Sequence, residues 1–560
     1  MLAQATMWEK LGQEPVDVLV VGGGINGAGI ARDAANRGLN VALVEMRDLA
    51  YGTSSRSSKM VHGGLRYLEQ FAFGLVFESV SERRILLKIA PHLVRPLGYI
   101  FPIFKTGTRG LGMVSLGMWV YEALSLFRSP RRHKTLKAHA LSEVEPIVDT
   151  QGMLGAPLYY DCATDDARLT LESALDAAHQ GAIVSTWTRV TQFEKDDSGN
   201  VLGVRVKNEL TGEEKSVKAS LVVNATGPWT DKTRGLSKEA VKPMVMRTKG
   251  VHVVVSRKSL PVNHCVICPH PDDARGVFAV PWGEQTYIGN TDTAYGKVEG
   301  GVTATLNDVD YLLEASNTYF PGHQLDRNDV IATWAGLRPL LAPESDDISN
   351  SKVTREHSIE VGADGVVTVA GGKLTTYRKM ANEVVTVSLK ALKKRGHKLK
   401  TRRSTTAKVA LPGAQGMPRG GLSQLKADLV QNASGVLPPE ICESLVDTYG
   451  VRAADVVDLV KKKPELANPL IKGRHEIAAQ VVFAVESEFA ATATDFLIQR
   501  TQIFYRDDDQ GLGALHEVVR IMTELLLWND ARQKTEIARY QNDVATSRGW
   551  RDEIAQEKSA

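Results

Sequence analysis

The chain has 560 residues, of which 43% are hydrophobic and 24% are charged. This length exceeds what a single core supports, so we expect two or three domains of ordinary globular composition. The formal net charge of +3 gives no indication of a nucleic-acid partner, and the four cysteines suit a reducing compartment rather than a disulfide framework.

The N-terminal sequence MLAQATMWEKLGQEP lacks the basic start and apolar run of a signal peptide. The best candidate for a membrane span, GLGMVSLGMWVYEALSLF at residues 110–127, contains Glu122 and three glycines. It is also shorter than the roughly 20 apolar residues that a span requires. We therefore expect no transmembrane helix.

Residues 17–45, DVLVVGGGINGAGIARDAANRGLNVALVE, predict a strand, a glycine turn, a helix and a second strand. Gly22 allows the tight turn, Gly24 lets the backbone approach a pyrophosphate, and Gly27 lets the helix pack closely on the strand. The helix N-terminus offers free N–H groups to phosphate oxygens. Glu45 lies 21 residues after Gly24, where an acid can accept the adenosine ribose hydroxyls. This pattern predicts a bound dinucleotide.

A dense cluster of hydroxyl side chains follows the ribose acid, in GTSSRSSKMVHGGLRYLE at residues 52–69. Hydroxyl and N–H groups in such a loop satisfy phosphate oxygens, although a solvated serine-rich turn is the alternative. His62 and Gly63, in the HGG that follows, indicate backbone that approaches a flat, large group. The clustered hydroxyls belong to Thr53, Ser54, Ser55, Ser57 and Ser58.

Two later strands also end in glycines. The strand in LVVNATGPW, residues 221–229, ends near Gly227, and the strand in VVTVAGGKLTTYRKMA, residues 366–381, meets a Gly-Gly turn and a helix. A helix N-terminus at that point can stabilise the negative charge of a reduced flavin ring. A nicotinamide enzyme rarely needs such a late strand–turn–helix, so the three segments together favour FAD.

The rest of the chain divides by composition. Residues 61–160 read as helical and apolar, residues 161–260 as a helix, a hairpin and a buried strand, and residues 261–370 as strand-rich. Residues 390–408 hold nine Lys or Arg and no acid, and LPGAQGMPRGG follows. We predict interleaved FAD and substrate domains in residues 1–390, with the substrate part mainly at 85–160 and 240–345. A flexible linker is predicted at 391–421 and a helical domain at 422–560.

Several of these segments closely resemble FAD-dependent glycerol-3-phosphate dehydrogenases of the respiratory, quinone-reducing kind. They are VVGGGINGAGIARDAANRGLNVALVE, LAYGTSSRSSKMVHGGLRYLE, DDARL, VNATGPW, GLRPL and GGKLTTYRKMA, in the same order between about residues 17 and 382. The resemblance implies an α/β fold with a glutathione-reductase-like FAD domain, a mixed-sheet substrate domain and a C-terminal helical domain. It also implies oxidation of sn-glycerol 3-phosphate to dihydroxyacetone phosphate by hydride transfer to FAD.

The same resemblance assigns cofactor residues by matching motif. The residues that would hold the ADP half of FAD are Gly22, Gly24, Asn26, Gly27 and Glu45. Those that would hold the phosphates and the flavin side are Thr53, Ser54, Ser57 and Ser58, with His62 and Gly63 beside them. Those that would close the flavin pocket are Gly227, Gly372, Lys373, Leu374 and Thr375.

Around the substrate, the resemblance points to Arg66, Tyr67, His252, Arg338 and Lys373. The substrate is a small dianion, and a guanidinium fork suits phosphate better than a point charge, with a structural ion pair as the alternative for each arginine. A base must take the hydroxyl proton. His252 is favoured by analogy and by its usable pKa, with a core histidine of its strand as the equal alternative and His62 as the rival base. Lys373 would polarise the flavin or the oxyanion, or serve only as a lysine at the helix entry.

Three further signals are set aside. NHCVICPH, residues 263–270, offers two Cys and two His from His264 to His270, but no second C-x-x-C exists and VICP reads as a strand. RDDDQG at residues 506–511 lacks the EF-hand spacing, so no metal site is predicted. Asp165 and Asp166 look more like a helix cap than paired catalytic carboxylates.

Residues 83–134 mix apolar faces with Arg and Lys, a pattern that suits a helix lying in a membrane interface. The basic run at residues 390–408 could add attraction to anionic lipid. The alternatives are a buried core helix for residues 83–134 and a solvated linker for the basic run. The resemblance favours a cytoplasmic protein, peripherally bound to the inner face of the cytoplasmic membrane, that passes electrons to quinone. The competing functions are an oxygen-using oxidase of the same fold, a related amine or amino-acid oxidase, and a non-catalytic flavin-binding protein. The oligomeric state stays open, with a homodimer among the alternatives.

Overall fold

The computed structural model describes residues 3–105, 110–237, 242–296, 301–342 and 357–557, without the side chains of Arg66, Glu69, Ala555 and Gln556. The strands, in chain order, are β1 (Val16–Val21), β2 (Val41–Val44), β3 (Met60–Val61), β4 (Val94–Ile100), β5 (Ile103–Phe104), β6 (Lys134–Leu136), β7 (Met153–Thr164), β8 (Ile183–Ser185), β9 (Thr188–Lys195), β10 (Val201–Asn208), β11 (Glu214–Asn224), β12 (Val245–Ser256), β13 (Cys265–Pro269), β14 (Gly276–Trp282), β15 (Gln285–Gly289), β16 (Thr293–Ala294), β17 (Val330–Leu341), β18 (His357–Val361) and β19 (Val367–Gly371).

Helices surround these strands and form the C-terminal part of the chain. They are α1 (Gln4–Lys10), α2 (Ile25–Asn36), α3 (Arg66–Glu69), α4 (Phe73–Ile89), α5 (Leu111–Leu124), α6 (Ala138–Val144), α7 (Asp166–His179), α8 (Thr230–Gly235), α9 (Leu306–Tyr319), α10 (Tyr377–Lys394), α11 (Gly421–Asn432), α12 (Pro439–Tyr449), α13 (Ala453–Lys462), α14 (Ala478–Ser487), α15 (Ile503–Arg506), α16 (Leu512–Leu526), α17 (Asp530–Arg548) and α18 (Trp550–Glu557).

The first sheet contains the predicted dinucleotide unit. Its main path is β18-β19-β11-β1-β2-β8, and β1, β2, β8, β11 and β19 run parallel to one another. Side chains of β1 alternate between two cores: Val18 and Val20 pack with α2, α7 and α10, whereas Leu19 and Val21 pack with β9, β10 and β11. Both faces of this central strand are therefore covered, which explains the unbroken apolar run from Val18 to Val21.

The second sheet is mixed and has 11 strands, drawn from residues 60–61, 94–164 and 245–341. The strand β13 pairs in parallel with β4, while β12 pairs antiparallel with β15 and β17. The expectation that residues 61–160 are helical is wrong for β4 to β7. Most of β7 is buried, so its apolar run shows no period of two, and such a run cannot be told from a buried helix by its pattern.

The C-terminal helices α11 to α18 form the predicted helical domain. The preceding segment differs from the flexible linker expected at 391–421, because α10 continues to Lys394 and residues 404–414 pack against the first sheet's helices. Arg32 donates hydrogen bonds to the carbonyls of Thr406 and Val409, and Leu411 is fully buried. Pro and Gly content predicts turns, but it does not show whether a segment is exposed or packed.

The rejected membrane span corresponds to α5, a helix of 14 residues. Throughout the residues that the structure describes, no helix combines the length and the apolar character needed to cross a membrane.

Candidate functional site

An elongated cavity of about 2050 Å³ extends along the carboxyl ends of the parallel strands and under the faces of β12 and β17. This edge of a parallel sheet is where ligands of doubly wound folds bind. The predicted site residues that line the cavity are Gly22, Gly24, Asn26, Glu45, Thr53, Ser54, Ser57, Ser58, His62, Tyr67, Gly227, His252, Arg338, Gly372, Lys373, Leu374 and Thr375.

The glycine turn has the geometry that a dinucleotide needs. Gly22 adopts a left-handed backbone (φ +108°), and a Cβ on Gly27 would lie 1.7 Å from the carbonyl oxygen of Gly22, so Gly27 serves helix packing. The Glu45 carboxylate accepts hydrogen bonds from the N–H groups of Gly23 (2.6 Å) and Arg47 (3.0 Å). Burial raises the pKa of Glu45, and these N–H donors oppose the rise. A half-buried acid beside an open glycine turn fits the ADP half of FAD.

The hydroxyl cluster is held by protein partners. Ser54 Oγ accepts from the N–H of Ile25 (2.9 Å) and so caps the first turn of α2. Thr53 donates to a carbonyl of β17 (2.5 Å), and Ser57 donates to Asp166 (2.7 Å). These bonds fix the loop along the cavity, and the role of the hydroxyls as phosphate ligands stays a prediction.

At the far end of the cavity, the loop after β3 meets the turn after β19. The His62 N–H lies 3.2 Å from Thr375 Oγ1, and Gly371 and Gly372 both adopt left-handed backbones (φ +79° and +86°). Gly227, at the end of β11, also has a left-handed backbone (φ +54°). Three strand ends therefore converge where the sequence predicts the flavin.

His252 lies on β12 opposite Trp334 of β17, and the two rings stack at 4.6 Å with 14° between their planes. Its Nε2 is 2.9 Å from Ser58 Oγ, and Asn290 Nδ2 donates to the same hydroxyl at 2.8 Å. Burial, followed by the positive charges of Arg338 and Lys59, lowers the pKa of His252 well below 6.5. The imidazole is therefore neutral at neutral pH and able to accept a proton.

Arg338 and His252 face the cavity from the same side of this strand pair. Trp334 lies opposite His252, and Arg338 is four residues beyond Trp334 on β17. This even spacing places both side chains on one face of the sheet. Its guanidinium is 3.1 Å from Asp292 Oδ1 and 3.1 Å from the carbonyl of Thr291. An anchored guanidinium at the cavity wall can bind a phosphate in a fixed orientation.

Lys373 and Tyr67, both predicted around the substrate, are in contact. The Lys373 ammonium lies 4.3 Å from the centre of the Tyr67 ring, a cation–π arrangement. The Arg66 side chain, assigned to the same group, lies outside the described part of the structure.

Gly63 does not line the cavity, because it packs against a buried polar cluster. The sequence did not reveal the residues of this cluster. A Cβ on Gly63 would lie 2.1 Å from the Tyr121 hydroxyl, and the Gly63 N–H donates to Asp161 (3.2 Å). Asp161 also forms a buried ion pair with Arg83 and accepts from Tyr121 (2.8 Å). These residues come from β7, α4 and α5, and no short motif connects them.

The two acids of DDAR have different roles. Asp165 caps α7 by accepting from the Arg168 N–H (3.0 Å), which confirms the predicted cap. Asp166 instead binds Lys59 (2.7 Å) in a buried ion pair next to the Trp334 ring. Lys59 was missed because a single lysine in a serine-rich loop gives no signal of burial.

The cysteines of NHCVICPH lie on β13, as the strand interpretation predicts, and both are fully buried. The neighbouring His264 pairs with Glu145 at 3.0 Å. Within the described residues, the side chains close enough to share a metal ion are His270, Asp272 and Glu314, and neither cysteine is among them.

Comparison with known proteins agrees with this geometry. The "FAD dependent oxidoreductase" family matches residues 17–378, and the "C-terminal domain of alpha-glycerophosphate oxidase" matches residues 404–533. A glycerol-3-phosphate dehydrogenase of Mycobacterium leprae is 38% identical over 96% of this chain and 89% of its own length. The aerobic glycerol-3-phosphate dehydrogenase of Staphylococcus aureus (strain USA300) is 36% identical over 94% of this chain and 93% of its own length.

The fold is also found in solved structures. The glycerol-3-phosphate dehydrogenase from Bacillus halodurans, complexed with FAD, has a TM-score of 0.80 and 31% identity over 98% of both chains. These matches confirm the α/β fold with its helical C-terminal domain, and FAD as the cofactor. The chain belongs to the FAD-dependent glycerol-3-phosphate dehydrogenase family.

Proposed function

We propose that the protein oxidises sn-glycerol 3-phosphate to dihydroxyacetone phosphate and passes the electrons to a membrane quinone. The observation that carries the proposal is the pairing of a neutral, buried His252 with an anchored Arg338 on one face of the β12–β17 pair. Oxidation of a secondary alcohol by hydride transfer needs a base for the hydroxyl proton, and a guanidinium suits recognition of the substrate's phosphate.

Each residue has a definite task in this reaction. Bound FAD supplies the acceptor for the hydride of carbon 2. His252 takes the hydroxyl proton, because its lowered pKa keeps the imidazole neutral. Arg338 binds the phosphate, and Asp292 holds the guanidinium in place at 3.1 Å. Lys373 and Tyr67 complete the polar wall of the substrate site.

The quinone and membrane parts of the proposal rest on a surface that we call the apolar face. Large apolar side chains of α4, α5 and the adjoining turns are exposed there, including Phe71 (78%), Leu116 (65%) and Trp119 (57%). The other members are Phe73, Phe77, Met113, Leu126 and Phe127. A cluster of exposed apolar side chains indicates an interaction site. The exposed Arg128, Arg131 and Arg132 follow these residues in the chain and would suit an anionic lipid surface.

The large cavity reaches this surface. Phe71 and Met113 of the apolar face also line the cavity that contains His252 and Lys373. An apolar quinone entering from a lipid layer would therefore have a continuous route towards the flavin end. This continuity supports a peripheral membrane position.

The second candidate is a glycerol-3-phosphate oxidase that uses oxygen, since the C-terminal part matches a domain described from alpha-glycerophosphate oxidase. An amine or amino-acid oxidase needs a carboxylate clamp but no phosphate site. Steady-state turnover separates these functions: we expect activity with sn-glycerol 3-phosphate and a soluble quinone, little peroxide in air, and none with glycerol plus inorganic phosphate. Stoichiometric peroxide without quinone would establish the oxidase instead.

A further inference from the structure

The helical domain contacts the FAD-binding loop through one buried ion pair. Arg500, at the end of a π-helix over Asp495–Arg500, binds both carboxylate oxygens of Asp48, at 2.5 and 2.8 Å. Both side chains are almost completely excluded from solvent. Arg500 also donates to the carbonyl of Glu488 (2.9 Å), so its own domain fixes the direction of the guanidinium.

Asp48 begins the loop that lies on the glycine turn. The carbonyl of Asp48 accepts from the Tyr51 N–H (3.1 Å), and the Ala50 N–H donates to the carbonyl of Gly23 (3.0 Å). Ala50 adopts a left-handed backbone (φ +63°), which is unfavourable for alanine and persists only when neighbouring contacts hold it. The position of this loop therefore depends on what Asp48 binds.

A second contact joins the same loop to the same domain. Trp187, a buried residue between β8 and β9, donates its Nε1–H to Asp495 (3.0 Å) and its backbone N–H to the carbonyl of Arg47 (2.8 Å). The guanidinium groups of Arg47 and Arg539 lie 5.2 and 4.9 Å from its ring. Asp495 and Arg500 are the two ends of the π-helix. The π-helix therefore contacts the loop directly at Asp48 and indirectly through Trp187, which binds Arg47.

We infer that the helical domain is part of the FAD site, and that Arg500 is a positioning residue for the cofactor. Arg500 holds Asp48, and through it residues 46–51, in the conformation that keeps Glu45 and the glycine turn aligned for the ADP half of FAD. The cavity agrees with this role, because Ile498 and Gln499 of the π-helix and the preceding Thr494 line it together with Glu45 and Arg47. Loss of Arg500 then weakens FAD binding itself.

The test is FAD affinity in the full-length chain, measured by titrating the apoprotein with FAD and following flavin fluorescence. Arg500→Met should raise the FAD Kd by roughly tenfold or more, with Arg500→Lys intermediate because a lysine keeps the charge but not the bidentate geometry. With saturating FAD, the kcat of Arg500→Met should return to within about twofold of the unaltered protein, since no reacting group has been removed.

Arg452→Met is the matched control. Arg452 lies in the same domain and binds Glu172 (3.3 Å) and Glu488 (2.8 Å), so it docks the domain on α7 rather than on the FAD loop. Its FAD Kd should change less than about twofold, even where urea unfolding shows a similar loss of stability. If Arg500→Met does not fold, Asp48→Asn replaces it, with the same expected weakening. Unchanged FAD affinity in the Arg500 or Asp48 variant, or an equal loss in Arg452→Met, would overturn the inference.

Discussion

The guanidinium of Arg338 occupies the space beside Gly250 on the neighbouring strand. A Cβ built on Gly250 would lie 2.3 Å from Nη2 of Arg338 and 2.9 Å from Nη1, closer than real Cβ contacts allow. Gly250→Ala should therefore displace Arg338 and raise the apparent KM for sn-glycerol 3-phosphate by about tenfold or more, with FAD still bound. Steady-state kinetics at saturating FAD checks this.

Gly276→Ala provides the control for that substitution. Gly276 also lies on a strand of the second sheet, but its nearest neighbour would be 3.7 Å from an added Cβ, an ordinary contact. Its KM should be unchanged. Equal KM values for the two alanine variants would contradict the view that Arg338 keeps its position because Gly250 has no side chain.

Direct loss of the guanidinium should have a larger effect. Arg338→Ala removes the proposed phosphate ligand and leaves Asp292 without its partner, so we expect the apparent KM to rise by roughly 10²-fold. Arg338→Lys should recover only part of the loss, because one ammonium cannot replace a fork. A variant with normal kinetics would take Arg338 out of the substrate site.

The lowered pKa of His252 predicts the pH dependence of flavin reduction. A base acts when deprotonated, and burial together with Arg338 and Lys59 shifts the His252 pKa well below 6.5. The rate should therefore be flat through neutral pH and fall only on the acid side of 6.5. His252→Asn should lower the rate by about 10²-fold or more and abolish this acid limb. Stopped-flow reduction measured across pH gives both results, and an acid limb centred above pH 7 would contradict the assignment.

The acid stability of the domain contact is also predictable. Burial alone would raise the pKa of Glu172, but His92, Arg452 and Arg168 outweigh it and hold that pKa at about 2, below the usual 4.5. A lowered pKa in the folded state adds stability that is present above pH 4.5 and is lost as the pH falls towards 2. The contribution is about 3 kcal/mol at neutral pH.

Urea unfolding as a function of pH measures this contribution. Glu172→Gln should flatten the loss of stability below about pH 4.5, whereas Glu517→Gln, at an exposed ion pair of α16, should not. Parallel curves for the unaltered protein and Glu172→Gln would show that Glu172 titrates normally.

The apolar face makes a separate prediction about lipid. The double variant Leu116→Gln and Trp119→Gln should reduce co-sedimentation with vesicles of phosphatidylcholine and phosphatidylglycerol by roughly tenfold, because both side chains are exposed on α5. Leu527→Gln is the control, since Leu527 is 88% exposed but belongs to the helical domain. Unchanged sedimentation of the double variant would exclude this face as the membrane contact.

The sequence predicted the local units well because their signals are local. The Gly22–Glu45 unit, the Asp165 cap and the turn at Gly372 each depend on residues close together in the chain, and the structure contains all three. The order of such units favoured FAD, and the fold class followed from the family resemblance that these segments carry.

Long-range partners could not be predicted in this way. His252 contacts Ser58 and Trp334, and Asn290 donates in turn to Ser58; these three partners come from separate segments. The strand β7 departs from the helical expectation, since burial on both of its faces removes the alternation that identifies a strand. Residues 404–414 looked like a linker because composition reports turns rather than packing.

The most direct test of the proposed function is an anaerobic titration of the yellow holoprotein with sn-glycerol 3-phosphate, followed by the visible absorbance of the flavin. The substrate should bleach the flavin bands in proportion to the dihydroxyacetone phosphate formed, one equivalent for each FAD, while glycerol with inorganic phosphate leaves them intact. Flavin that stays fully oxidised in the presence of excess substrate would contradict the account.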